Sequence, residues 1–182
     1  MKPSHLVVPA ALVLSLTACG GGDSPAAVET STSGVSSQEG SSSPPSESAA
    51  GADQNADSLA AELKDEVGTV TKAVTITEDN DPNDLLGRPN GYVSAAVLYD
   101  SAAACGSLGS DCGAVIEVFK DEAAATARAE YIQGILAGSP ALGSEWDYVN
   151  GAALLRVSGE LKPSAAAAYA EAFGGTEVTA GE

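Results

Sequence analysis

The chain has 182 residues, with 25 acidic against 8 basic side chains and a formal net charge of −17. That balance excludes a nucleic-acid backbone as partner, because phosphate binding needs a cationic stripe and none can be drawn here. Hydrophobic residues make up 44%, but 34 residues are alanine, so the chain can bury one small core and no more.

Lys2 gives a positive start, Leu6 to Leu16 form an apolar stretch, and small residues follow. Residues 1–18 therefore read as an export signal, too short to span a bilayer as a mature helix. Leu16, Thr17, Ala18 and Cys19 match the lipobox of bacterial lipoproteins. That resemblance implies that Cys19 becomes the mature N-terminus and carries a diacylglycerol thioether, which fixes the chain to the outer face of the cell membrane. Two or more acyl chains at about 0.8 kcal/mol per buried methylene suffice for stable anchoring. Processing also removes His5, the single histidine, and with it any Ser-His-Asp or Cys-His triad and any His-ligated zinc.

Residues 19–57 begin at the lipidation site and continue as Ser, Gly, Ala, Pro and acidic residues without Lys, Arg or aromatics. Such a composition cannot repay the entropy of folding, so a disordered tether is expected, with a root-mean-square span of roughly 35 Å. Its acids Asp23, Glu29, Glu39, Glu47, Asp53 and Asp57 repel an anionic lipid surface.

Residues 58–182 suffice for a single domain. Ser58 is expected to cap a helix that buries Leu59, Leu63 and Val67. Val70, Val74 and Ile76 alternate with threonines as in a half-buried strand. A turn-rich stretch, Glu78 to Gly91, leads to a second strand, Tyr92 to Tyr99. A third, Ala114 to Phe119, sets Val115 and Phe119 opposite Ile116 and Val118. Asp121 and Glu122 open a helix reaching about Ala137 and stopped by Gly138 and Pro140; its buried side is expected to carry Ala124, either Ala127 or the stem of Arg128, Tyr131, Ile132 and Ile135. Trp146 to Val149 and Ala152 to Val157 flank Asn150-Gly151, a strong hairpin signal. Pro163 starts a last helix that ends at Phe173 before Gly174. The expected fold is α+β, a mainly antiparallel sheet of about five strands with helices on one face, and the recurring ββα order suggests an internal duplication.

Cys105 and Cys112 bracket an eight-residue loop between two strands, and an exported compartment permits a structural disulfide there. Asp79, Asp81 and Asn83 alternate as the first ligands of a calcium loop do, although Asp84 replaces the sharp-turn glycine and Asn90 the bidentate glutamate. An ordered structural loop, with Leu85 and Leu86 plugged into the core and Arg88 held by a carboxylate or carbonyls, is the plainer reading. Trp146 and Tyr148 share one face of the hairpin and form either core packing or, together with Arg88, a ligand or partner patch. Glu117, Glu145, Asp147 and Glu160 are the carboxylates for a hydrolase, and are expected to lie on a solvated face. Arg156 is expected either to point outward or to meet the D-P-N loop.

The segments D-P-N-D-L-L-G-R-P (81–89), the helix ending in Y-I-Q (131–133), and L-L-R-V-S-G-E-L-K-P (154–163) together resemble a group of small lipoproteins from actinobacteria and other Gram-positive bacteria. The resemblance implies a lipid-anchored extracytoplasmic domain and carries no catalytic residues with it. The expected function is an interaction module for an envelope protein or cell-wall component. A small carboxylate-dependent envelope hydrolase and a calcium-dependent binding module are the alternatives.

Overall fold

A computed structural model describes residues 54–181 of the chain; the expected export signal, Cys19 and the tether up to residue 53 lie outside the described residues. Helix α1 (Ala56–Glu66) begins earlier than Ser58. Asn55 is its N-cap, with its side-chain oxygen 2.8 Å from the Asp57 amide. Ala56 is fully buried and its amide donates to Ser94 Oγ at 3.1 Å, so residues expected to belong to the tether take part in the fold.

Strands β1 (Val70–Thr75), β2 (Ser94–Asp100) and β3 (Gly113–Val118) are followed by helix α2 (Glu122–Gly138). Then come β4 (Glu145–Asn150), β5 (Ala153–Ser158), helix α3 (Pro163–Phe173) and a short β6 (Thr176–Val178). The six strands form one sheet in the order β1-β2-β3-β5-β4-β6, antiparallel throughout. The fold is thus α+β, as expected, with one more strand. β6 has only three residues and pairs along the outer side of β4, too short to leave a periodic signal.

The helices divide between the two faces instead of sharing one. α1 and α3 bring Ala56, Ala60, Leu63, Ala166, Tyr169 and Phe173 onto Ile116, Leu155 and Val157. α2 brings Ala125, Ala129 and Ile132 onto Val97, Val115, Phe119 and Leu154 on the other side. β3 explains why, since all its residues are buried and its large side chains point to both faces, which demands a covering layer on each.

α2 is also rotated from the expected orientation. Its buried stripe is Ala125, Ala129 and Ile132, whereas Tyr131 is 61% and Ile135 39% exposed. Alanines on the inner stripe allow close approach, and Arg128 and Gln133 beside them reach polar groups on the sheet. Asp121 caps this helix by accepting from the Ala124 amide at 2.8 Å.

The β4–β5 hairpin turns at Gly151–Ala152, with Gly151 at φ 56°, the left-handed region that a glycine-first tight turn requires. On the α3 side, Tyr169 donates to buried Asp100 at 3.0 Å, and Thr69 donates to the same oxygen at 2.6 Å. This ties α3 to the end of β2. No helix among the described residues is long and apolar enough to cross a membrane.

Candidate functional site: a cavity over Arg156

The D-P-N loop is organised by one carboxylate. Asp81 Oδ2 accepts from the amides of Leu85 (2.7 Å) and Leu86 (2.8 Å), while Oδ1 accepts from the Asn83 amide (2.9 Å) and the Tyr92 hydroxyl. Burial works against the charge of Asp81, but these hydrogen bonds outweigh it and hold the carboxyl below its ordinary value. Burial, and then the bond to Asp81, push the Tyr92 hydroxyl up. The chain folds back so tightly that a Cβ on Gly91 would stand 1.9 Å from the Leu85 carbonyl oxygen, which only glycine tolerates. Leu85 and Leu86 pack against the core under α2, as expected of a plugged loop.

Of the expected calcium ligands, Asp81 therefore spends both oxygens on the loop itself, while Asp79 and Asn83 are exposed. Among the described residues no group of three or more His, Cys, Asp or Glu is disposed to hold a metal ion. Arg88 pairs with Asp84 at 2.6 Å on the exposed surface, one turn along the loop.

The second loop is closed by the Cys105–Cys112 disulfide. Within it, Ser110 donates to Glu145 Oε1 at 2.7 Å, which links the loop to the sheet.

Beneath both loops lies an ion cluster. Arg156 on β5 donates through Nη1 to Glu117 Oε1 (2.8 Å) and through Nε and Nη2 to both oxygens of Glu145 (2.9 Å each). Arg128 of α2 takes the other oxygen of Glu117 at 3.2 Å. Glu117 is fully buried, and the side chains of Arg156, Glu145 and Arg128 are 12%, 11% and 16% exposed. Burial opposes the charge of Arg156, yet Glu117 and Glu145 more than compensate and push its pKa up.

Asp147, opposite Arg156 across the β4–β5 ladder, is also fully buried. Its Oδ2 accepts from Gln133 at 3.1 Å and its Oδ1 has no hydrogen-bond partner. Burial, followed by the neighbouring charge of Glu145, pushes this carboxyl up to about 7. Two arginines balance two glutamates, and Asp147 is the unmatched acid.

The carboxylates expected on a solvated face are thus mostly internal: Glu117, Glu145 and Asp147 converge on Arg156, and only Glu160 is exposed. Arg156 does not point outward. The signal for this was in the sequence, since Glu117 in A-V-I-E-V-F and Arg156 in L-L-R-V are single charges flanked by large apolar residues, a pattern of paired burial. Trp146 and Tyr148 do share a face, but α3 covers it. Tyr148 is buried and Trp146 half-buried against the same core, which removes the open aromatic patch.

Between the two loops and the sheet is a cavity of about 160 Å³. Pro82 and Asn83 of the D-P-N loop, Leu108 to Asp111 of the disulfide loop, and Ile76, Val97, Val115 and Arg156 from the sheet side line it. A wider groove of about 440 Å³ runs on the outer side of α2, with Leu85, Asn90 and Tyr131 among its walls. Two of the sequence segments that drew attention and the disulfide loop therefore meet at one place. Comparison with protein-family models, with curated proteins and with solved structures finds no match to this chain.

Proposed function

We propose that the protein is a lipid-anchored extracytoplasmic interaction module, held to the outer face of the membrane through Cys19, that recognises an envelope protein or cell-wall component at the cavity over Arg156. The lipobox at Leu16–Cys19 supports the anchor, and the likeness to small lipoproteins of Gram-positive bacteria points the same way. The observation that carries the recognition site is the independent fastening of its two walls, one by the disulfide and one by Asp81, around a space left open above Arg156. Walls fixed in advance lose little entropy on binding.

The test is photo-crosslinking in intact cells from residue 110, at the cavity, and from Glu171, exposed on α3. A specific adduct from residue 110 alone, in the membrane fraction and dependent on Cys19, is the expected result. Equal adducts from both positions, or an unchanged pattern with Cys19→Ser, contradict the reading.

A carboxylate-dependent envelope hydrolase is the second reading. Asp147, whose carboxyl burial and then the charge of Glu145 raise to about 7, is the group disposed to hold a proton for such chemistry. It is fully buried, so a substrate would reach it only if α2 moved aside. Loss of an envelope-degrading activity in Asp147→Asn with the fold intact would establish that reading.

A further inference from the structure

We infer that the groove beside α2 captures the free C-terminal carboxylate of a short peptide whose last side chain is apolar, a second site beyond the cavity proposed above. The groove encloses about 440 Å³, within the roughly 300–1,000 Å³ of small-ligand pockets. That is room for the end of a peptide rather than for one side chain.

Its walls are set before anything binds. Leu85 is held by its amide's bond to Asp81 Oδ2 at 2.7 Å, and Arg128 by its Nε bond to Glu117 at 3.2 Å. Both therefore lose little freedom on binding. Ala124 and Ala127 add small apolar surface, and Tyr131, 61% exposed, presents an uncovered ring. An apolar side chain gains by lying against that ring.

Charge decides what accompanies it. Among the described residues two cations, Lys120 and Arg128, line the groove against one acid, Asp121. Asp121 is already engaged, since it caps α2 through the Ala124 amide at 2.8 Å. Its contact with Lys120 is 3.9 Å long, with both side chains more than half exposed, and such a pair contributes little. The Lys120 ammonium thus stays available. The bond from Arg128 to Glu117 uses Nε, which leaves Nη1 and Nη2 without a partner among the described residues. Those terminal nitrogens are the fork that takes both oxygens of a carboxylate. Arg156 differs, because its Nε, Nη1 and Nη2 are all committed to Glu117 and Glu145.

The net charge of −17 selects which carboxylate. An acidic stretch of polypeptide, or an anionic lipid surface, brings several negative charges against a strongly acidic chain. A chain end brings a single one, with an apolar side chain on the same residue to cover Tyr131.

The test uses the full chain in nanodiscs of zwitterionic lipid, free of detergent that would compete for an apolar groove, and ligand-observed NMR titrations. The probes are acetyl-Ala-Phe with a free carboxylate, its C-terminal amide, acetyl-Glu-Phe amide, which carries the charge on a side chain, and glycerol 3-phosphate for a lipid headgroup. The free acid should bind at least about tenfold more tightly than each of the others. Lys120→Gln should weaken it about two- to fivefold, and Tyr131→Ala about fivefold. Urea midpoints should stay unchanged in both variants, since both side chains are mostly exposed. Arg128 is left in place because it also holds Glu117.

Binding of the amide, the glutamate peptide or glycerol 3-phosphate as tight as that of the free acid, or no binding of the free acid, overturns the chain-end carboxylate. Free-acid binding unchanged in either Lys120→Gln or Tyr131→Ala overturns the groove as its place. Neither outcome touches the cavity over Arg156, whose crosslinking test from residue 110 stands separately.

Discussion

Arg156 Nη1 lies 2.8 Å from Glu117 Oε1, a charged pair on the sheet face beneath α2, with Glu117 fully buried and Arg156 nearly so. Their backbones are diagonal neighbours, since Arg156 pairs with Val115 and Glu117 with Leu154. The pair gains its energy from completeness, because Arg128 and Glu145 fill the remaining positions around it. Two desolvated charges repay the loss of water only when each is fully partnered.

Arg156→Met should accordingly cost about 3–5 kcal/mol in urea unfolding, because it leaves Glu117 buried with only Arg128 as its ionic partner. Replacing both members, Glu117→Met with Arg156→Leu, should recover part of that loss, since the fully buried carboxylate goes together with its partner and the two charges left without theirs, Arg128 and Glu145, are not fully buried. A double variant as unstable as the sum of the two single ones would show that the residues are not coupled.

Asp147 gives the domain a pH dependence of defined sign. Its folded-state carboxyl is raised to about 7 from an ordinary value of 3.8, so the folded state binds the proton more tightly than the unfolded one. The contribution is fully present below the unfolded value and is lost as the pH rises through the folded one. Asp147→Asn removes this dependence. The variant should match the wild type near about pH 4 and exceed it near about pH 8 by on the order of a few kcal/mol. Urea midpoints of both proteins across that range provide the measurement.

Asp81 has the opposite sign. Burial disfavours its charge, but the Tyr92 hydroxyl and three backbone amides hold its carboxyl below the ordinary value. The stability it contributes is present above the unfolded value and is lost as the pH falls through the folded one. Tyr92→Phe should cost about 1 kcal/mol, and Asp81→Ala about 1–3 kcal/mol, because the Leu85 and Leu86 amides then lose their acceptor. Hydrogen exchange at those two amides should quicken markedly in Asp81→Ala.

Reduction of the Cys105–Cys112 disulfide should destabilise the domain by about 2.5 kcal/mol in the chain-entropy picture. The loss of protection should be confined to residues 105–112 while β2 and β3 keep theirs. Unfolding of the whole sheet on reduction would give the disulfide a larger role than fastening one wall.

Much of the architecture was legible because periodicity marks the face of a strand. The alternation in residues 114–119 separated Ile116 from Val115, and Asn150-Gly151 located the hairpin. The orientation of α2 was not legible, because a helix rich in alanine has no sharp apolar stripe, and its rotation is decided by Arg128 and Gln133 reaching Glu117 and Asp147. The start of α1 was obscured because the chain enters it directly from a polar segment. There Asn55 and Ala56 look like the tether until the hydrogen bond to Ser94 is seen. The site was half legible. D-P-N and the cysteine pair stood out, but their meeting over Arg156 depends on strand order, which puts β5 beside β3 rather than beside β4 alone.

The most direct measurement compares Gly109→Trp with Gly106→Trp in the intact-cell crosslinking assay. Both glycines lie in the disulfide loop and both leave open space for a side chain, but of the two only Gly109 lines the cavity. The adduct from residue 110 should disappear in Gly109→Trp and persist in Gly106→Trp, with the two variants equally stable. Equal adduct yields from both variants would contradict recognition at this cavity.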